Sequence, residues 1–205
     1  MAPTLEAERR LWALGYSFVA GVDEAGRGPW AGPVVAAAVV LPPHRSDLMD
    51  LLMGVDDSKR LSPRAREDLF TRVREVALAI GVGQAESEEI DTLGIARATR
   101  LAMQRAIYAL PRQPDYILVD YEHIPDIAVP QEAFVRGDAR VLSIAAASII
   151  AKVTRDRIMV EMDARYPGYG FAQHKGYGTA AHRDALRRLG PSPIHRKSWK
   201  PVRDL

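Results

Sequence analysis

The chain has 205 residues, 47% of them apolar and none of them cysteine, with a formal net charge of +2. That length suits one domain with a sizeable core, and the lack of cysteine excludes disulfides and thiolate metal sites. No run of ~20 uncharged apolar residues occurs, so no membrane span is expected, and residues 1–10 lack the apolar region of a signal peptide, so the cytoplasm is the expected location.

In chain order, residues 5–15 read as a short helix and 17–23 as a strand. Gly32-Pro33 resets the chain, and Val34 to Leu41 is a continuous apolar run of the kind buried strands show. Between these two strands lies Asp23-Glu24-Ala25-Gly26-Arg27-Gly28. Ser62 is a good N-cap with Pro63 at the first helical position, so a helix should run to about Val76. Residues 78–85 read as a strand. Apolar residues at Ile90, Leu93, Ala98, Leu101, Ala102 and Ile107 predict one long amphipathic helix over 89–110. Residues 116–119 form a short apolar strand with Asp120 at its C-terminal end, the end where α/β proteins meet ligands. Residues 133–135 read as a last strand, 142–166 as a strong helix, and Thr179 caps a final helix to about Leu189. The expected fold class is α/β, a mixed sheet flanked by helices, with a helical C-terminal appendage from about residue 167.

Charge is unevenly spread. Residues 1–138 carry 15 Lys and Arg against 21 Asp and Glu, a net of −6, and residues 139–205 carry 13 against 5, a net of +8. An acidic part joined to a basic one fits metal binding in one place and polyanion binding in another. Four acids stand at or near strand ends or lead into the long helix: Asp23, Glu24, Asp120 and Asp138. Adjacent carboxylates repel unless a cation neutralises them. The Gly-Arg-Gly loop offers bare N–H groups and a guanidinium, which suit phosphate. If the strand ends converge, the set suits two hard divalent cations and metal-assisted phosphodiester chemistry. Taken singly, none of the four is distinctive among 26 acids.

Gly21-Val22-Asp23-Glu24-Ala25-Gly26-Arg27-Gly28-Pro29-Trp30-Ala31-Gly32-Pro33-Val34 resembles the opening signature of the type 2 ribonucleases H, the ribonuclease HII family. Five further blocks follow in the family's order: Asp57 to Ser62, Leu118 to Asp120, Gly137-Asp138 with Ile144 to Val153, Tyr169 to Phe171 with His174 to Thr179, and Gly190 to Arg196. The resemblance runs from about residue 16 to 199. It implies an RNase H-like core over 1–166 and a helical region over 167–205 that packs on the core and contributes to substrate binding. It also implies an endonuclease that uses two Mg²⁺ or Mn²⁺ ions. The substrates would be RNA–DNA hybrids and DNA duplexes containing ribonucleotides, and the products 3′-OH and 5′-phosphate ends. Carried over by motif, Asp23, Glu24, Asp120 and Asp138 are the metal-binding and catalytic carboxylates. Gly26, Arg27 and Gly28 grip the ribonucleotide, Tyr177 packs on the next, deoxy sugar, and Lys59 contacts phosphate. Arg97, Ser148 and Lys175 are further candidate contacts. The single chain is the expected working unit.

The chain departs from the family pattern at three points. Gly94 and Arg97 stand where Asn and Gln are usual, with Arg97 expected on the same helical face as Gly94 and free to take a DNA-strand contact by charge. Tyr121 follows the third acid where glycine is usual, which leaves the shape of that loop open. Ala145 to Ala151 reads as close helix packing, and Trp12, Trp30 and Trp199 as packing residues. His174, His182 and His195 fit no zinc spacing. A junction resolvase on the same fold and a non-catalytic hybrid binder are the competing readings. The Gly-Arg-Gly and Tyr177 blocks argue against the first, and four intact acids against the second.

Overall fold

The structure, a computed structural model, describes residues 2–204, which leaves out Met1 and Leu205 at the ends of the two terminal segments. The helices are α1 (Glu6–Ala13), α2 (Leu48–Leu51), α3 (Pro63–Val76), α4 (Ser87–Leu93), α5 (Ile95–Tyr108), α6 (Leu142–Arg165), α7 (Phe171–His174), α8 (Ala180–Leu189) and α9 (Lys200–Arg203). The strands are β1 (Val19–Ala25), β2 (Val34–Val40), β3 (Ala79–Ala85), β4 (Tyr116–Asp120) and β5 (Gln131–Phe134). They form one sheet in the order β3-β2-β1-β4-β5. β2 runs antiparallel to both β1 and β3, whereas β1, β4 and β5 are parallel.

Every residue of β2 is buried because helices cover both of its faces. The two-residue period of a strand sends Ala36 and Ala38 to one face, with Ala98, Ala102 and Ala106 of α5. It sends Ala37 and Val39 to the other, with Ala146 and Ile150 of α6 and Leu69 and Val73 of α3. α6 lies directly on β1, since a Cβ on Gly21 would come within 2.3 Å of the Ser143 carbonyl carbon. The first turn of α6 is satisfied from α1: the buried Glu8 accepts from the Ser143 N–H at 2.7 Å, a carboxyl where the helix dipole favours one. Beyond α6, Tyr169, Phe171, Leu186 and Val202 pack with Met159 and Ala31, seating the C-terminal segment behind the loop that follows β1. No helix among the described residues is long and apolar enough to cross a membrane.

The single helix expected over 89–110 is two helices. Gly94 sits between them at φ 78 and ψ 155, closing α4 through its N–H to Ile90 and opening α5 through its carbonyl to Ala98. Its positive φ is one that L side chains rarely adopt. The apolar periodicity runs on across the break because Ile90 and Ala98 cover the same core. Arg97 therefore stands exposed in the first turn of α5, and it shares no helical face with Gly94. The last strand covers Gln131–Phe134 rather than 133–135, and Val135 is exposed.

Candidate active site

The parallel register Val22↔Val119 brings Asp23 and Asp120 to neighbouring strand ends, with Glu24 one residue on. Asp138 lies on a 3-10 turn, Gly137–Ala139, that is tied to the same place: the Gly137 N–H donates to Asp120 Oδ1 at 2.6 Å. A second 3-10 turn, Ser58–Arg60, brings Lys59 to the acids. Asp23 is 5% exposed. Burial, then the charges of Glu24 and Asp120, push its carboxyl well above the ordinary carboxylate range, and Asp138 adds to the shift. Burial also raises Asp120, with the charge of Glu24 adding to it. Asp138 is raised by burial first and then by Asp57 and Asp120. Burial lowers Lys59, but the charges of Asp23, Asp57, Asp138 and Glu24 together outweigh it, so its ammonium is held more firmly protonated. Asp57 is thus a fifth acid close enough to act on Lys59, Asp120 and Asp138. Its place in the quoted Asp57–Ser62 block was the signal for it.

Among the described residues, no three acidic or histidine side chains crowd one point tightly as they stand. Their oxygens turn elsewhere, as repelling charges do: Asp23 to the Glu24 N–H at 2.7 Å, Asp120 to Gly137, and Glu24 to Arg27 at 3.4 Å. The donor set fits a hard divalent cation, because it is all oxygen and its charges raise Asp23, Asp120 and Asp138. A dication among them would reverse that shift by favouring the ionised forms.

Two loops flank the acids and meet each other. A Cβ built on Gly28 would lie 3.8 Å from Tyr177 Cε1. The Trp30 N–H donates to the Gly176 carbonyl at 2.8 Å. Arg27 and Tyr177 are both exposed. Gly26 adopts φ 101 and sits on the side chain of Arg155, so a Cβ there would come within 2.1 Å of Arg155 Nε.

Two buried arginines hold these loops, and both were missed in reading the sequence. Arg196 donates to the carbonyls of Gly26 at 2.5 Å, Arg27 at 2.9 Å and Gly32 at 2.9 Å. Arg155 donates to Pro33 at 2.9 Å, Ala31 at 3.1 Å and Lys175 at 3.0 Å, joining the two loops through one guanidinium. Burial brings Arg155 down to about 10 and Arg196 down to about 9. A planar fork of five donors reaches carbonyls on several sides at once, where lysine offers three donors on a single nitrogen. An arginine inside the apolar face of a helix was the available signal for Arg155. Arg196 closes the last quoted block.

Ser148 is buried, with Oγ 2.8 Å from Ser58 Oγ, and so anchors the turn that carries Lys59. Lys175 takes a left-handed backbone, and its ammonium folds back onto the Ala172 carbonyl. Lys152, not singled out from the sequence, lies with Nζ 5.9 Å from the Tyr177 ring centre and 2.7 Å from Asp156. Tyr121 adopts φ 71, so the loop keeps the left-handed turn that glycine would make easily. The three histidines do meet in space, with His174 and His182 stacked at 4.3 Å. All six ring nitrogens are already engaged, which leaves no lone pair for zinc.

The ribonuclease HII family model matches residues 20–202. A ribonuclease HII from Chloroflexus aggregans is 58% identical over 205 residues, which is 100% of this chain and 97% of that one. Among solved structures, ribonuclease H2 from Pyrococcus horikoshii OT3 is similar with a TM-score of 0.74 at 30% identity, over 91% of this chain and 95% of that chain. The structure of the PCNA:RNase HII complex from Archaeoglobus fulgidus is similar with a TM-score of 0.73 at 29% identity, over 89% and 95%.

Proposed function

The chain belongs to the ribonuclease HII family and is a ribonuclease H, an endoribonuclease acting on RNA–DNA hybrids, and from that premise we propose that it also nicks DNA duplexes at embedded ribonucleotides. The observation that carries this reading is the meeting of the Gly26–Gly28 loop with Tyr177 beside the four acids. Asp23, Glu24, Asp120 and Asp138 would hold two divalent ions, Mg²⁺ or Mn²⁺. Such ions supply Lewis acidity at the phosphate and a lowered pKa for water.

The chain's own residues do the rest. Arg27 and the bare N–H groups of Gly26 and Gly28 engage the ribonucleotide and its 2′-OH, the group that distinguishes the two sugars. Lys59, kept protonated by the surrounding carboxylates, contacts a phosphate oxygen. The Tyr177 ring lies flush on the following sugar and favours a deoxyribose there. Attack of water on phosphorus and loss of the O3′ leaving group give 3′-OH and 5′-phosphate ends. Such cuts would begin the removal of misincorporated ribonucleotides. Arg97 would meet a DNA phosphate by charge, so Arg97→Gln should flatten the slope of log affinity against log salt by about one unit or less. An unchanged slope would leave Arg97 a solvated surface residue.

The test of the main reading is cleavage of a labelled DNA duplex carrying one ribonucleotide, with and without Mg²⁺ or Mn²⁺. Cutting of a continuous hybrid but not of this duplex would remove the embedded-ribonucleotide activity. Binding of either substrate without any cutting would favour the hybrid-binder reading instead.

A further inference from the structure

Behind Tyr177 the imidazoles of His195 and His182 form a chain with a fixed direction. The Ser192 N–H donates to His195 Nδ1 at 2.9 Å, and the Ser192 hydroxyl, which can also donate, lies 2.8 Å from the same nitrogen, so that nitrogen bears a lone pair and no proton. In the neutral ring the proton is then on Nε2. His195 Nε2 lies 3.0 Å from His182 Nε2, which must accept. His182 therefore carries its proton on Nδ1, which donates to the Tyr177 carbonyl at 2.9 Å. Ser192 thus sets the tautomer of two rings in succession, in a chain that ends at the peptide group of Tyr177.

The surroundings keep that chain neutral and still. His182 and His195 are 0% and 1% exposed. His174 stacks on His182, Phe171 meets it edge-on at 5.6 Å, and Trp30 lies 5.4 Å from it. The Tyr177 carbonyl also accepts from the Thr179 N–H at 2.9 Å, and the Tyr177 N–H donates to His174 at 2.9 Å. The residue is pinned through its backbone yet stays 43% exposed, with its ring beside Gly28. An exposed ring that must lie flush on a sugar gains from being held in advance.

We propose that His195 and His182 are positioning residues that set Tyr177, and through it the preference for a deoxy sugar after the cleaved ribonucleotide. This rests on the reading of Tyr177 given above. Neither histidine touches substrate.

The test compares turnover on a duplex with one ribonucleotide and on a continuous hybrid, at equal metal concentration. His182→Leu removes the donor to Tyr177 and should lower turnover on the first substrate about fivefold more than on the second, the effect of roughly one lost hydrogen bond. His182→Asn places an amide N–H near the position of Nδ1 and should restore the ratio. Adding His182→Leu to Tyr177→Ala should shift the ratio no further than Tyr177→Ala does alone. If Tyr177→Ala shifts the ratio and His182→Leu does not, the histidine chain has no positioning role and the reading of Tyr177 stands. If Tyr177→Ala leaves the ratio unchanged, the reading of Tyr177 falls and this proposal with it. Should His182→Leu not fold, His195→Leu, which frees the His182 tautomer, takes its place with a shift of the same sign expected. No shift there would overturn the proposal.

Discussion

Asp23 and Arg196 are both charged and both nearly out of reach of solvent, 5% and 0% exposed, yet they respond to burial in opposite ways. Asp23 faces three more acids, and its carboxyl is driven toward the neutral form. Among the described residues no carboxylate is bonded to Arg196, which spreads its donors over the carbonyls of Gly26, Arg27 and Gly32. One region keeps like charges together, and in the other, behind it, Arg155, Arg196, His182 and His195 have their side-chain nitrogens hydrogen-bonded. Strain retained at a working site and compensated in its support is a common pattern. In this chain it separates the residues expected to act from those expected to hold.

The largest effect that would break this contrast is at the acids. Asp23→Asn, Glu24→Gln, Asp120→Asn and Asp138→Asn should each lower cleavage at least ~100-fold, since each would remove a ligand from the metal pair. In metal-free buffer, Asp23→Asn should melt no lower than the wild type, because repulsion is relieved. Near-normal turnover in Asp23→Asn with Mg²⁺ present would take Asp23 out of the metal site.

Arg196→Met should do the reverse and weaken the fold, by roughly 3 kcal/mol, from carbonyls left unpaired at ~1–3 kcal/mol each. Urea unfolding reads this directly. A loss under ~1 kcal/mol would mean that water reaches those carbonyls and that the guanidinium is dispensable to the loop.

The two regions should also pull stability in opposite directions with pH. His182 and His195 are each brought down to about 4, chiefly by burial, whereas the unfolded rings titrate near ~6.5. The unfolded chain binds more protons in that window. The stability these neutral rings contribute is full above pH ~6.5 and is lost as pH falls toward 4, at up to ~1.4 kcal/mol per pH unit for each ring. Asp23, Asp120 and Asp138 have raised folded pKa values, so here the folded state binds the extra protons. Their effect has the other sign: stability is recovered as pH falls through their folded pKa values toward the unfolded value near ~3.9. Unfolding without divalent ions should show the histidine slope steepen in Asp23→Asn, which lacks one opposing carboxyl, and flatten in His195→Leu. Parallel curves for all three proteins would break the contrast.

The smallest effect concerns Tyr121, a strained residue next to Asp120. Replacing it by glycine should raise stability by about 0.5–1 kcal/mol, because the left-handed turn costs an L side chain more than it costs glycine. A lower melting temperature in Tyr121→Gly would show that its exposed ring makes contacts worth more than the strain.

Much of this was legible from local sequence. Ser62 followed by Pro63 marks the start of α3, and the Ser62 side chain does accept from the Ala65 N–H. The apolar run from Val34 became the fully buried β2. The four acids stood out by their places at strand ends and by the family blocks around them. Periodicity misread residues 89–110 because two helices that cover one face of a sheet continue one another's apolar pattern. It holds no record of a single glycine turning between them.

The support behind the site had no local signature. Arg196 meets Gly26 across 170 residues, Arg155 meets Ala31 across 124, and His182 meets His195 across 13 with no spacing rule to announce it. Residue types, strand and helix periods and caps are properties of neighbouring positions, and the sequence by itself determined those: the α/β class, most element bounds and the places of Asp23, Glu24 and Asp120 at strand ends. Which carbonyl a buried guanidinium finds, which nitrogen of an imidazole keeps its proton, and how strongly Asp23, Asp120 and Asp138 are raised by the acids around them depend on distances between remote segments. Only the tertiary structure decided them, because hydrogen bonding and electrostatics act through space rather than along the chain.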